Sequence, residues 1–241
     1  MRWWLLLGLA GCDQFLKLDT VPAPPDAPVY LVCSQQQPAP FFCADFDDPS
    51  APAYAEGNVA TVPAAMAGVT ATLHDPAISP GNALWVDTSA DTTNNTYLFE
   101  FASPRPASTM HGELDIDVTA YGGTYPTEIV EIGIIPTGLP GNCRTQLQLN
   151  ASGLRFRSHD CPTSDDEVVF GVVPGAWAHI VLDVDLAAGA ATANYEGNIA
   201  TVHTGLSSAT GGTPYIGFGV LWVQDLSGPT VAFDNVLVTV Q

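Results

Sequence analysis

Residues 113–118 read Glu113-Leu114-Asp115-Ile116-Asp117-Val118. Successive side chains of a strand point to opposite faces, so Leu114, Ile116 and Val118 share a dry face while Glu113, Asp115 and Asp117 share a wet one. Residues 177–185 repeat the pattern: Ile180, Leu182 and Val184 oppose His179, Val181 and Asp183. Such alternation is what an antiparallel sheet packed on one side requires. Working outward, strand-like runs are predicted at 83–87, 97–101, 113–118, 128–135, 145–149, 154–157, 167–173, 177–185, 191–196, 199–203, 215–223 and 231–240. Turn formers punctuate them at 79–82, 121–123, 139–142, 173–175, 187–189, 196–198 and 210–213. No window longer than a turn or two keeps a 3.6-residue period, so the chain is predicted to be all-β. A two-sheet antiparallel sandwich and a closed barrel both bury many short amphipathic strands. No systematic second face is present to line a lumen, and that favours the sandwich.

Composition narrows the partners. Six Lys+Arg stand against 25 Asp+Glu in 241 residues, a formal net charge of −19. Nucleic acid is excluded as a partner, since binding it rests on cations that neutralise phosphates. The acidic surplus fits solubility, or calcium, which takes carboxylate and carbonyl oxygens. Charged residues make up 13% and hydrophobic ones 46%, a balance that builds a packed core.

Residues 5–12, Leu-Leu-Leu-Gly-Leu-Ala-Gly-Cys, follow one positive charge at Arg2. The run is too short for the ~20 apolar residues of a membrane span. It resembles a bacterial lipoprotein signal. That resemblance implies removal of residues 1–11 and lipidation of Cys12, giving an exported protein anchored in the bacterial cell envelope, with the membrane as one partner. Residues 12–29 carry a Pro-rich tether, and residues 30–241 form one domain. Assigning Cys12 to lipid leaves four of the five cysteines: Cys33, Cys43, Cys143 and Cys161. Of three possible connectivities, the local one (Cys33 with Cys43, Cys143 with Cys161) closes two short loops and suits an oxidising compartment. Zinc is a poor reading, because there is no Cys-x-x-Cys and the histidines are scattered singly.

Three segments point to a family: 174–185 followed by 191–198, with Trp177, His179 and an acidic-Gly turn; 231–240, with Asp234-Asn235; and 42–48, with Phe42, Asp45, Asp47 and Asp48. In chain order they resemble the concanavalin A-like, laminin-G-like jelly rolls of the lectin and glucanase type. The resemblance implies that the first and last strands pair, bringing Asp45 or Asp47 near Asp234, where a structural calcium sits in related domains. It also singles out Glu113, Asp115 and Asp117, because laminarinase-type hydrolases of this fold carry Glu-x-Asp-x-Glu on one strand. Here the last position is Asp117, one methylene shorter, and displacement of a catalytic acid is badly tolerated. The expected function is therefore a non-catalytic binding module for a glycan or for an envelope or extracellular protein, with the hydrolase and a purely structural lipoprotein as alternatives. Candidate ligand-binding residues are Trp85, Tyr121, Tyr125 and Trp222, with Asn94 and Asn95 in a polar loop. Arg155 and Arg157 share one strand face, where they either grip a carboxylate-bearing sugar or balance Asp160, Asp165 and Asp166.

Overall fold

The computed structural model describes residues 33–56, 58–60, 70–88, 99–102, 105–121, 125–136, 143–162, 166–207, 211–222 and 229–241; at 59, 60, 99, 100, 120, 221 and 222 it describes the backbone only. A 3-10 turn at Cys33–Gln35 precedes strands β1 (Phe42–Ala44), β2 (Ala53–Ala55), β3 (Asn58–Ala60), β4 (Thr70–His74), β5 (Ala83–Asp87), β6 (Phe99–Ala102), β7 (Thr109–Ala120) and β8 (Thr127–Pro136). There follow β9 (Arg144–Asn150), β10 (Gly153–His159), β11 (Glu167–Phe170), β12 (Ala178–Asp185), β13 (Ala190–Tyr195), β14 (Asn198–His203), β15 (Gly212–Trp222) and β16 (Thr230–Val240). They form two antiparallel sheets. The larger runs β14-β13-β12-β7-β16-β1-β2-β3, with β5 also on β16 and β4 on β5; the smaller runs β11-β10-β9-β8-β15-β6.

The first and last strands pair as expected, Phe42 against Val238 and Ala44 against Val236. One side of β16 borders β7 along its length, while the other is shared: β5 takes Thr230–Phe233 and β1 takes the far half. The handover falls at a bulge where Asn235 adopts φ 50°. Asparagine tolerates that left-handed conformation better than most residues. The hairpin from β13 to β14 turns through Glu196 (φ 49°) and Gly197 (φ 82°), both positive as a type I′ turn requires.

The core lies between the sheets. Leu114, Ile116 and Val118 of β7 and Ile180, Leu182 and Val184 of β12 meet Val130, Ile132 and Ile134 of β8, with Leu147, Leu154 and Phe156 beyond. Phe218 of the smaller sheet contacts Phe42 edge-on at 5.4 Å and Phe233 at 5.6 Å, both from the larger sheet. Gly112 of β7 serves close approach: a Cβ there would stand 2.9 Å from Ile132 Cδ1 of the opposite sheet. The two disulfides are Cys33–Cys43 and Cys143–Cys161, the local pairing.

A candidate binding face on the smaller sheet

Alternation on the smaller sheet sends Leu147 and Leu149 of β9 and Leu154 and Phe156 of β10 into the core, so Gln146, Gln148, Arg155, Arg157 and His159 face outward. Register aligns them with β8, Gln148 opposite Glu128 and Gln146 opposite Glu131, and with Tyr215 of β15 one row on, opposite Gly133. Although they face away from the core, Glu128, Glu131, Gln146, Gln148 and Tyr215 are all buried, Glu131 to 1% exposure. Buried polar groups must find partners or lose about 1–3 kcal/mol each, and this set is densely connected.

Glu131 is its centre. Arg144 Nη1 donates to both of its oxygens (2.8 and 3.1 Å), Tyr215 Oη to Oε2 (3.0 Å) and Gln146 Nε2 to Oε1 (2.9 Å). Gln146 Nε2 also reaches Glu128 Oε2 (2.9 Å), and Gln148 Nε2 donates to Gln146 Oε1 (3.1 Å). The two carboxyl groups thus share one amide donor, Gln146 Nε2, at 2.9 Å from each. Burial, then the hydrogen bond and charge of Glu131, push Glu128 up to about 9. Burial acts on Glu131 too, but its hydrogen bonds to Glu128, Arg144 and Gln146 outweigh it and hold the carboxyl below its usual range. Glu128 is thus pushed toward its protonated form and Glu131 held toward its carboxylate. Gln148 Oε1 is buried and receives no hydrogen bond.

At the flank, Arg155 pairs with Glu167 of β11, and Arg157 Nη2 donates to His159 Nδ1 (2.8 Å). Of the acids expected to balance these arginines, Asp166 accepts from His203 (3.0 Å) and Asp160 lies 3.6 Å from His159. Asp165 lies outside the described residues.

Glu113, Asp115 and Asp117 occupy the outer face of the larger sheet. His111 stands between Asp183 (2.6 Å) and Glu113 (2.8 Å), while His179 donates to Asp115 (2.9 Å), whose other oxygen accepts from Asn235 Nδ2 (2.8 Å). Asp117 is 5% exposed and its Oδ1 has no hydrogen-bond partner. Burial raises its pKa, partly offset by the Gly175 N–H. Ala232 pairs with Asp117 on one side and Trp85 on the other, so Trp85 and Asp117 share a row. Trp85 meets Trp177 edge-on at 6.4 Å and stacks on His74 at 5.2 Å, and its Nε1 donates to the Pro76 carbonyl. The fold therefore gathers Trp85 with the acidic strand.

The other candidates are dispersed. Tyr121 is half-buried and donates to the Tyr125 carbonyl, while Tyr125 is 53% exposed. Trp222 occupies the register position opposite Glu128, and Asn94 and Asn95 lie outside the described residues. Asp45 accepts from Cys33 N, Asp47 from Asn82 N, and Asp234 from Ser79 N and Oγ and from Asn235 N. Each of these carboxylates accepts from a backbone N–H, Asp234 from the Ser79 hydroxyl as well, and no cluster of three metal-ligating side chains occurs among the described residues. Sequence reading missed Glu128, Glu131, Arg144, Gln146, Gln148 and Tyr215. The signal for two of them was the polar-apolar alternation Gln146-Leu147-Gln148-Leu149.

No protein-family model matches the sequence, and no curated protein does. Among solved structures, the chain is similar to "Cellulose induced protein, Cip1" at 15% identity and a TM-score of 0.53, over 74% of this chain and 89% of that one. The binding domain of Paraclostridial Mosquitocidal Protein 1 gives 12% and 0.52, over 83% of this chain and 48% of that one. Alginate lyase A1-II′ gives 13% and 0.47, over 83% and 94%. With the two antiparallel sheets, the likeness shows the fold: a jelly-roll sandwich of the concanavalin A-like type.

Proposed function

We propose that this protein is a non-catalytic carbohydrate-binding module, exported and held in the bacterial cell envelope by a lipid on Cys12, and that it binds through the outer face of the smaller sheet. The observation that carries the reading is the buried polar set on that face. Five polar side chains withdrawn from water outside the core are a poor way to gain stability, since apolar replacements of such networks are often neutral or stabilising. They are a good way to hold hydrogen-bonding groups ready for a hydroxyl-rich ligand, and Gln148 Oε1 still lacks a donor. Gln146 Nε2 bridges Glu128 Oε2 and Glu131 Oε1 at 2.9 Å from each, where a glycosidase keeps sugar or water between carboxyl groups about 5–9.5 Å apart, and this favours binding over hydrolysis. A glycan array on the full chain is expected to give selective binding that falls at least about ten-fold in Gln146→Ala, equivalent to about 1.4 kcal/mol, and persists in Trp85→Ala. Silence on the array overturns the reading. Incorporation of labelled fatty acid, lost in Cys12→Ser, tests the anchor.

One observation favours a second reading. Asp117, buried in the row that holds Trp85, has the raised pKa of a general acid on the strand that also carries Glu113. Hydrolysis of a β-glucan that vanishes in Asp117→Asn would replace the binding module with the hydrolase.

A further inference from the structure

We propose that the outer face of the larger sheet holds a second binding site, for an alkylammonium ion: a primary ammonium on a slender apolar stem, its N–H groups on Asp117 and its stem against Trp85 and Trp177.

The geometry begins with one row of that face. Asp117 of β7 pairs with Ala232 of β16, and Ala232 with Trp85 of β5. On the other side β12 pairs Ala178 with Ile116, so Trp177, the residue before it, stands beside Asp117. Trp85 and Trp177 are therefore three strand spacings apart, about 14 Å at the backbone. Their ring centroids are only 6.4 Å apart. Both indoles thus lean inward over Ala232 and Asp117, and Ala232 is 0% exposed although Val231 and Phe233 on either side of it are the residues that enter the core. In the same row Asp117 Oδ1 is buried and accepts no hydrogen bond. Native proteins nearly always give a buried acceptor a donor, because leaving it without one is costly. Burial also disfavours the charged carboxyl, which the Gly175 N–H offsets only in part. A cation with N–H donors supplies what both the charge and the oxygen lack.

The surroundings select the sign. Asp87, Glu113, Asp115 and Asp183 project from the same face, with His111 and His179 among them. Among the described residues this face carries neither lysine nor arginine: Arg144, Arg155 and Arg157 belong to the smaller sheet, and Arg105 pairs with Glu56. The depth of the carboxyl selects the shape. An amine set directly on a sugar ring stops at the indoles, whereas an unbranched alkyl stem lies along their faces and carries its charge to the oxygen, where the ring faces attract it too. One wall is held and the other has room. Trp85 donates Nε1 to the Pro76 carbonyl (3.2 Å) and stacks on His74. Trp177 follows the turn 173–176, whose residues are all exposed and where a Cβ added at Gly175 would meet nothing within 4 Å, so it is the ring that shifts to admit the stem.

The test titrates the full chain with n-butylammonium, its neutral isostere n-butanol, and tetramethylammonium, a cation without N–H, and follows tryptophan fluorescence and heat. The expected result is one equivalent of butylammonium bound at least ten-fold tighter than either control. Asp117→Asn keeps the shape and removes the unpartnered charge, so it is expected to melt no lower than the parent protein and to lose that preference. Butanol or tetramethylammonium binding as tightly overturns the site, as does a preference that survives in folded Asp117→Asn or an absence of saturable binding. The preference itself is read on the unsubstituted protein, so it decides even where the variant fails to fold. Spermidine and Nα-acetyl-lysine amide carry the same group, and the tighter binder of the two identifies the source as a polyamine or a protein side chain. Failure here leaves the glycan reading standing, since the two faces belong to opposite sheets.

Discussion

Asp234 is fully buried at the bulge of β16, its oxygens held by Ser79 and by the Asn235 N–H. Burial outweighs those donors and lifts its pKa from 3.8 to about 6. A carboxyl whose folded pKa is raised contributes stability that is complete below the unfolded value and is lost as pH rises through the folded one. Across pH 4 to 7 the loss at this residue is roughly 3 kcal/mol. Urea unfolding at a series of pH values is expected to show that decline, and Asp234→Asn is expected to flatten it, at a cost of about 1 kcal/mol near pH 4 for the donor it leaves unmatched. The paired glutamates make a sharper contrast. Glu128 is already protonated at neutral pH, so Glu128→Gln keeps a donor toward Glu131 and an acceptor for Gln146, and is expected to change stability by less than about 1 kcal/mol. Glu131→Gln strips the carboxylate from Arg144, Tyr215 and Gln146 and is expected to cost about 3–5 kcal/mol. Equal effects of the two substitutions would show that the proton is not placed as described.

At the scale of the strand, the same residues explain what could be read in advance and what could not. On β7 the alternation is unbroken from Glu113 to Val118, and each side chain lies on the face that a period of two assigns. On β8 a bulge between Glu128 and Val130 adds one residue to the strand. Glu128 and Glu131, three apart in sequence, thereby come to the same face, whereas regular alternation sets them on opposite ones. No pattern in residues 127–132 announces the bulge, because Ile129 and Val130 are both buried apolar residues and suit either register. The outward stripes Gln146-x-Gln148 and Arg155-x-Arg157-x-His159 are regular and were legible as stripes. Their meaning depended on β8 lying beside them, a long-range pairing that local sequence does not carry. The β9–β10 hairpin that presents both stripes is clamped at its open end, where Cys143–Cys161 adjoins the Arg144–His159 pair. Closing a loop with a sequence separation of 18 is worth about 3 kcal/mol in the chain-entropy account. The double substitution Cys143→Ala/Cys161→Ala is expected to lose that much in denaturant unfolding and to weaken glycan binding as well, since Arg144 sits at the loosened end. Loss of stability with binding intact would show that the clamp does not hold the face in place.

At the scale of the whole molecule, the titrating groups act in one direction. Glu128 and Asp234 have raised carboxyl pKa values, and their contributions fade between 4.5 and about 9 and between 3.8 and about 6. On the other sheet, hydrogen bonds donated to Asp183 and Glu113 outweigh burial at His111, and the one donated to Asp115 does so at His179, so both histidine pKa values are raised above 6.5. Raised histidine values also stabilise the fold below 6.5 and cease to do so as pH climbs through them. Carboxylates with lowered values, such as the exposed Asp48 and Asp166, work in the opposite sense, but only where pH falls below the ordinary carboxylate range. Self-repulsion adds to the trend, because the formal charge of −19 is reached only as the acids ionise. The melting temperature is therefore expected to be highest in weak acid and to fall steadily from pH 5 to pH 8.5. Adding about 0.5 M salt at pH 8.5 recovers the part due to surface repulsion, where the Debye length drops below about 5 Å, and leaves the part due to buried Glu128 and Asp234. The two parts separate by variant: Glu128→Gln/Asp234→Asn removes the salt-insensitive decline and retains the salt-sensitive one. A melting temperature that is flat or rises between pH 5 and pH 8.5 would mean that these carboxyl groups are ionised and satisfied in the folded protein.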